Sequence, residues 1–419
     1  MLDVNFIREN SKKVEAGAHN KGFDIDVDRI LKLDKQHREL LQAVEGLRAR
    51  KNQISSEIPK LNESERGAKL KEAEQIKIEL KEKEDDLNKI SSELNILLLS
   101  IPNIPFDDVP VGKDESGNKV LRLEGKITES KFASKDYMEL ASQHDLIDIE
   151  RASKLSGTRF GYLKNEAVQL EFALVNFAMD VLKKEGFKPM VPPVMIKPEY
   201  MAKLGYLGEG WEDDIYHLEK DNLTLVGTSE QTLVPMFADE ILQEEDLPLR
   251  FVGFSSCFRR EAGSYGKDTK GILRVHQFDK VEMVSFVHPD KSREEHKFLL
   301  SMQEKLMKAL EIPYQVVHIC TGDTGFPMAE KFDIESWVPG EKKYRETHST
   351  SNATDFQARR LNTRFKTKDN KLEFVHILNG TAFAIGRTLI ALMENHQTEN
   401  GGIKIPKALH KYVGFKKIG

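Results

Sequence analysis

Two apolar seams in the first quarter of the chain constrain its fold more than any other feature. Between Val27 and Ser100 glycine and proline are almost absent, charge is dense, and apolar residues recur at alternating spacings of three and four. Ile30, Leu33, Leu40, Val44, Leu47 and Ile54 form one seam, interrupted by His37 and Lys51; Ile76, Leu80, Leu87, Ile90, Leu94 and Leu97 form the other. That spacing places each set on one face of a helix built for a coiled coil. Pro59 and the polar run from Asn62 to Gly67 separate the seams, so the pattern predicts two helices turning back on each other as an antiparallel hairpin. A helix from Val27 to Ile58 would be ~48 Å long, the dimension of an arm and not of a core.

At 419 residues the chain exceeds a usual single domain, which leaves ample length for a second, globular region. A formal charge of -5 excludes a protein coated in basic residues, so any RNA contact must be a local patch. Residues 27 to 60 hold eight Lys or Arg against five Asp or Glu, whereas residues 61 to 100 hold seven against ten. The basic excess gathers on the first helix as Arg48, Arg50 and Lys51, candidates for phosphate contacts; a solvated face of a dimerisation coiled coil is the competing reading. Cys257 and Cys320 show no metal-ligand spacing and are expected to be reduced thiols. No apolar run approaches ~20 residues, and MLDVNFIREN lacks the apolar core of a signal peptide, so a cytoplasmic protein with no membrane partner is expected. The stretch IPNIPFDDVPVG, 101 to 112, is proline-rich and predicts an extended linker.

Beyond the linker the most informative stretch is FRREAGSYGKDTKGILRVHQFDKVEM, Phe258 to Met283. Two alternating segments flank a basic, glycine-bearing loop, as in a nucleotide-binding hairpin. If both segments are strands, Arg259 and Glu261 share one face, and His276, Phe278 and Glu282 share another strand's face. Both charge signs and an aromatic ring would suit a ligand that is anionic at one end, planar in the middle and amine-bearing at the other. Taken alone, an Arg and a Glu two apart on a strand are more often a surface ion pair.

These residues resemble motif 2 of class II aminoacyl-tRNA synthetases and, in this spelling, of the bacterial-type seryl-tRNA synthetases. Four further places agree in order: GFKPMVPPV from Gly186, with Pro193, resembles motif 1 and its dimer interface; GTSEQ, with Thr228, Ser229 and Glu230, the serine loop; YRETHSTSN from Tyr344, followed by DFQARR, the ATP and metal strand; and LNGTAFAIGRTLIALMEN from Leu378, with Arg387, motif 3. The resemblance implies an α+β fold: a class II catalytic domain, an antiparallel sheet flanked by helices, behind an N-terminal antiparallel coiled-coil arm. It divides the chain into a tRNA-binding arm at 1–104, a linker at 105–118 and a catalytic domain at 119–419.

The activity implied is serine:tRNA ligase, which makes seryl-adenylate from serine and ATP and passes the seryl group to tRNA(Ser), with tRNA(Sec) as a further candidate. The serine carboxylate is already anionic, so catalysis reduces to aligning two anions and neutralising developing charge, work suited to arginine. By resemblance Arg259 and Arg387 are catalytic. Thr228, Ser229, Glu230, Arg259, Glu282 and Thr381 bind serine; Arg259, Arg260, Glu261, Val275, Phe278, Glu346, Thr347, His348, Ser349 and Arg387 bind ATP. Glu346 and Ser349 would hold Mg2+, a hard cation that keeps phosphate and water ligands. Arg48, Arg50 and Lys51, together with the motif 2 loop, would meet tRNA, and the protein would be a homodimer. Ser229 and Thr381 depart from the alanine and serine of the common bacterial spelling, and both keep or add a hydroxyl. Rival readings are a synthetase-like ligase that charges a non-tRNA acceptor, and an inactive coiled-coil binding protein.

Overall fold

Two long helices open the chain because their ends are capped as well as their faces patterned. Asp26 accepts from the amide of Arg29 at the start of α1 (Val27–Glu57), and Asn62 accepts from the amide of Glu65 at the start of α2 (Glu63–Leu99). In the computed structural model, which describes every residue except 128–131, 207–211 and 263–269, α1 and α2 pack along each other. Ile30, Leu33, Val44 and Ile54 are buried against Ile76, Leu80, Leu94 and Leu98, and Leu40, Leu47, Leu87, Ile90 and Leu97 are half-buried. Ion pairs fix the direction. Arg29 meets Glu93, Arg48 meets Glu84 and Arg50 meets Glu72, each at 2.6 Å, so one helix ascends as the other descends.

The turn is shorter than the sequence pattern suggests. Ile58–Lys60 forms one tight 3-10 turn around Pro59, and the run Asn62 to Gly67 is not a loop. Asn62 supplies the cap, and Glu63 and Glu65 stand in the first turn, where acidic groups meet the positive end of the helix dipole. The polar composition here marks a helix start and not the break it suggests. Met1–Ile104, which also holds helices Val4–Glu9 and Ser11–Asn20, forms one compact unit; Pro105–Gly419 forms another.

The second unit is built on an eight-stranded sheet. In chain order its strands are β1 (Lys119–Glu124), β2 (Lys188–Met190), β3 (Leu249–Phe258), β4 (Gln277–Val287), β5 (Tyr314–His318), β6 (Glu330–Val338), β7 (Lys343–Asn352) and β8 (His376–Ala384). Their spatial order is β1-β5-β6-β7-β8-β4-β3-β2, antiparallel except for the β2–β3 pair. Helices α3 (Glu166–Lys184), α4 (Ser292–Ala309) and α5 (Ile385–Asn395) pack against one face over Val281, Met283, Ile334 and Phe383. Side chains alternate across a strand, so the neighbouring residues of β4, β6, β7 and β8 are delivered to the other face.

Residues 105–118 are extended around their prolines but broken by a turn at Phe106–Val109 and a 3-10 turn at Glu115–Gly117, and they do not form a loose linker. Phe106 donates to the carbonyl of Ala329, Thr321 to that of Pro110 and Gly322 to that of Gly112, while Arg293 grips Asp108 through both terminal nitrogens at 2.9 and 2.6 Å. The segment is a bonded part of the second unit.

Candidate active site

The open face of the sheet gathers charged residues that its interior position would ordinarily exclude. On β4 the alternation places Phe278, Lys280 and Glu282 on this face, continuing into apolar Val284 and Phe286. Glu282 is 2% exposed and pairs with the Lys280 ammonium at 2.9 Å. It also accepts from the hydroxyl of Thr381 at 3.1 Å, its cross-strand neighbour on β8. A register shift after Val281 brings that pair opposite each other.

A second buried carboxylate faces this one. Glu230 opens the short helix Glu230–Leu233, and its Oε1 accepts from the Tyr206 hydroxyl at 3.0 Å and the Gln357 amide at 3.4 Å. Burial and then the nearby Glu282 push its carboxyl up to about 7, against the opposing pull of Lys280 and of those two hydrogen bonds. Arg259 stands at the end of β3, where its Nε donates to the carbonyl of Gly227 at 3.2 Å. Its guanidinium lies 5.2 Å from the centre of the Phe278 ring, and its terminal nitrogens bond no described residue.

Further along the same face stand Glu346 and Ser349 of β7 and Lys331 and Asp333 of β6. Asp333 lies opposite Ser349, and a bulge at Thr347 lets Glu346 lie opposite Glu335. Burial pushes the Glu346 carboxyl up, but Arg387 and then Lys331 outweigh it and hold it at about 2. Its side chain remains 43% open to solvent, the situation of a residue on the floor of a cleft. Arg387, in the first turn of α5, bonds the Glu346 carboxylate at 3.1 Å and its carbonyl at 3.0 Å. Burial and neighbouring carboxylates push Asp333 up to about 8 despite Lys331 at 3.3 Å, and its Oδ1 accepts no hydrogen bond from the described residues.

Comparison with known proteins matches both units to the same kind of protein. Residues 1–105 match the seryl-tRNA synthetase N-terminal domain, and residues 215–396 the tRNA synthetase class II core domain (G, H, P, S and T). A serine–tRNA ligase of Dictyoglomus turgidum is 44% identical over 100% of this chain and 99% of its own, and one of Thermobifida fusca is 44% identical over 99% and 98%. The crystal structure of a Pyrococcus horikoshii seryl-tRNA synthetase complexed with ATP superposes with a TM-score of 0.92, at 42% identity over 100% and 99% of the two chains. The chain belongs to the seryl-tRNA synthetase family.

Of the residues the family resemblance singles out, the fold brings Glu230, Arg259, Phe278, Glu282, Glu346, Ser349, Thr381 and Arg387 to this face. Thr228 and Ser229 are buried beside them, with the Ser229 hydroxyl, packed near Gly253, lacking a hydrogen-bond partner among the described residues. Three others turn away. Val275 sits in the helix-covered core, the Thr347 hydroxyl bonds Ser336, and the His348 ring packs on Phe383 with its proton affinity lowered by burial to about 4. Any nucleotide contact they make is therefore by backbone. For Thr347 the reason is the β7 bulge, which the sequence pattern cannot register; His348 turns away by ordinary alternation with Ser349.

The strand alternation expected at Arg259 and Glu261 also fails. β3 ends at Phe258 and β4 begins at Gln277; Glu261 takes a left-handed φ of 54°, and its carboxylate bonds Arg274 at 2.7 Å. His276 still exchanges two bonds with Arg259, and Arg260 lies over the Tyr216 ring. The expected tRNA contact through the motif 2 loop falls largely on residues 263–269, outside the described residues. On the arm, Arg48 and Arg50 each bridge to α2 through an exposed ion pair. Tyr206, Lys331 and Asp333 join the site without a motif to mark them, and Lys280 and Gln357 lie inside the stretches HQFDKVEM and DFQARR, where the resemblance assigns them no role. Strand parity with Glu282 is enough to find Lys280; Tyr206 carries no local signal.

Proposed function

We infer that this chain is a serine–tRNA ligase, which joins serine to ATP with loss of pyrophosphate and then transfers the seryl group to tRNA. The observation that carries the assignment of its site is the pair of buried carboxylates, Glu230 and Glu282, with the Thr381 hydroxyl between the strands and Arg259 beside them. Such a pocket receives an ammonium and a hydroxyl together, and a substrate without the hydroxyl would leave buried polar groups unpaired.

In the first step an oxygen of the serine carboxylate forms a bond to the α-phosphorus and the bond to the β-phosphate oxygen breaks. We assign Arg259 to both anions: its Nε is anchored on Gly227, leaving the two terminal nitrogens for carboxylate and phosphate. Its present position over Phe278 is where adenine would stack, so the arginine must swing off the ring as ATP enters. Arg387 would neutralise the outer phosphates. Glu261, shared with Arg274, would take the adenine amino group. In the second step a ribose hydroxyl of the tRNA attacks the seryl carbonyl and AMP leaves.

The oxygens of Glu346 and Ser349 fit a hard cation: the carboxyl is held ionised and faces the same cleft. Mg2+ bound there would offset charge between phosphates. The arm and its basic residues are assigned to tRNA, at a cytoplasmic site of action. A homodimer is supported by the apolar exposure around the motif 1 edge, where Val191 is 83%, Phe172 53% and Met195 46% exposed next to edge strand β2. A monomeric mass at micromolar concentration with full charging would reject the dimer. For the reaction, pyrophosphate exchange across the amino acids should respond to serine alone; exchange with threonine or alanine at comparable rates would reject the pocket assignment.

A further inference from the structure

The amino-acid pocket holds more charged groups than recognition of one ammonium requires. Glu282 already has a cation partner, the Lys280 ammonium at 2.9 Å, and accepts from Thr381 at 3.1 Å, both at the same oxygen. Lys280 is itself buried, its side chain 9% exposed. Glu230 is also buried, but its two hydrogen bonds come from uncharged groups, the Tyr206 hydroxyl and the Gln357 amide, and no described cation bonds it. The groups that face Glu230 are Tyr206 after helix Pro198–Leu204, Gln357 of helix Phe356–Leu361, and Lys280 and Glu282 of β4, with Arg259, just past β3, near Tyr206.

We propose that Lys280 is a positioning residue of the serine pocket: it neutralises Glu282, so that the incoming ammonium is received by Glu230, which gives up a proton as serine enters. The inference rests on the serine assignment above. Among the described residues Lys280 is the one cation bonded to either carboxylate, and Arg259, anchored on Gly227, is left to meet the serine carboxylate; Glu230, bonded only by a hydroxyl and an amide, therefore carries a proton in the empty pocket, and the serine ammonium replaces it in the filled one. The exchange conserves charge: a carboxylic acid and an ammonium give a carboxylate–ammonium pair and a proton released to water. Without that proton a buried anion would stand unpaired in the empty site, which is costly. The raised Glu230 carboxyl, at about 7, sets where the exchange is visible.

Serine binding to the full-length protein, measured by calorimetry in buffers of different ionisation enthalpy, should release close to one proton below pH 7 and progressively less above it. The serine KM in pyrophosphate exchange should rise about tenfold per pH unit below that point, with the ATP KM nearly flat. Lys280→Met should move the acid limb to higher pH, because a cation opposing the proton on Glu230 is gone, and Lys280→Arg should restore it. Binding heats independent of buffer, or a Lys280→Met variant with a changed KM but an unmoved pH profile, would overturn the inference while leaving the serine assignment intact. Absence of serine binding at every pH would instead sink the assignment itself.

Discussion

The arm and the pocket hold nearly the same ion pair in opposite surroundings. On the arm, Arg48 reaches Glu84 at 2.6 Å with side chains 59% and 35% exposed; in the pocket, Lys280 reaches Glu282 at 2.9 Å with side chains 9% and 2% exposed. Water screens the first pair, and such pairs contribute little to stability and exchange readily for other partners. The second is desolvated, and losing one partner strands the other. The arm's pairs therefore set a direction for two helices and remain replaceable by phosphates. The pocket's pair has almost no water to replace either partner. Distance alone would have ranked them the other way.

Deleting residues 1–104 cuts the two regions apart. Charging of tRNA should fall about a thousandfold or more as the arm's hold on the RNA vanishes, while serine-dependent exchange, served by residues of the second unit, stays within a few-fold. Parallel loss of both reactions in a well-folded deletion would mean that the regions do not act separately. Arg259→Ala should lower adenylate formation about a hundred- to a thousandfold at saturating substrates, the scale of removing a transition-state charge partner; an unchanged turnover number would remove Arg259 from the reacting centre.

Glu282→Ala acts on the buried half of the comparison, stranding the Lys280 ammonium. The serine requirement should rise by about one to two decades and the ATP requirement far less, which steady-state kinetics on each substrate would separate. Replacing Arg48, Arg50 and Lys51 with glutamine acts on the exposed half and should be mild. The melting temperature should move by less than about two degrees, and the log-log salt dependence of tRNA binding should flatten by about 0.7 to 0.9 for each phosphate left without its cation. A large fall in melting temperature would show that the pairs to Glu84 and Glu72 carry the hairpin.

Much of this molecule is legible in its chain because the signals are local. The seams Ile30 to Ile54 and Ile76 to Leu97 give the hairpin, since helical periodicity needs no knowledge of partners. Where the local signal is ambiguous the pattern misleads, as at Asn62 to Gly67, whose polar residues cap and begin a helix. In the site, Glu282, Glu346 and Arg387 are carried by motif spelling, and the open sheet face does bring them together. Strand parity places Phe278 and Glu282 correctly on β4 but fails at Glu261, where a left-handed residue ends the alternation, and at Thr347, where one extra residue in β7 inverts it.

The sequence by itself determined the arm, the family and the identity of most groups in the pocket, because these depend on periodicity and on residue types at fixed spacing. Only the tertiary structure decided their chemical state. Tyr206 and Gln357 come from separate parts of the chain to one oxygen of Glu230, and β8 brings Thr381 to Glu282. Burial then pushes Glu230 up to about 7, while Arg387 holds Glu346 at about 2. A carboxylate's proton affinity is set by water excluded and by charges within a few ångströms, and neither quantity exists until distant segments have packed.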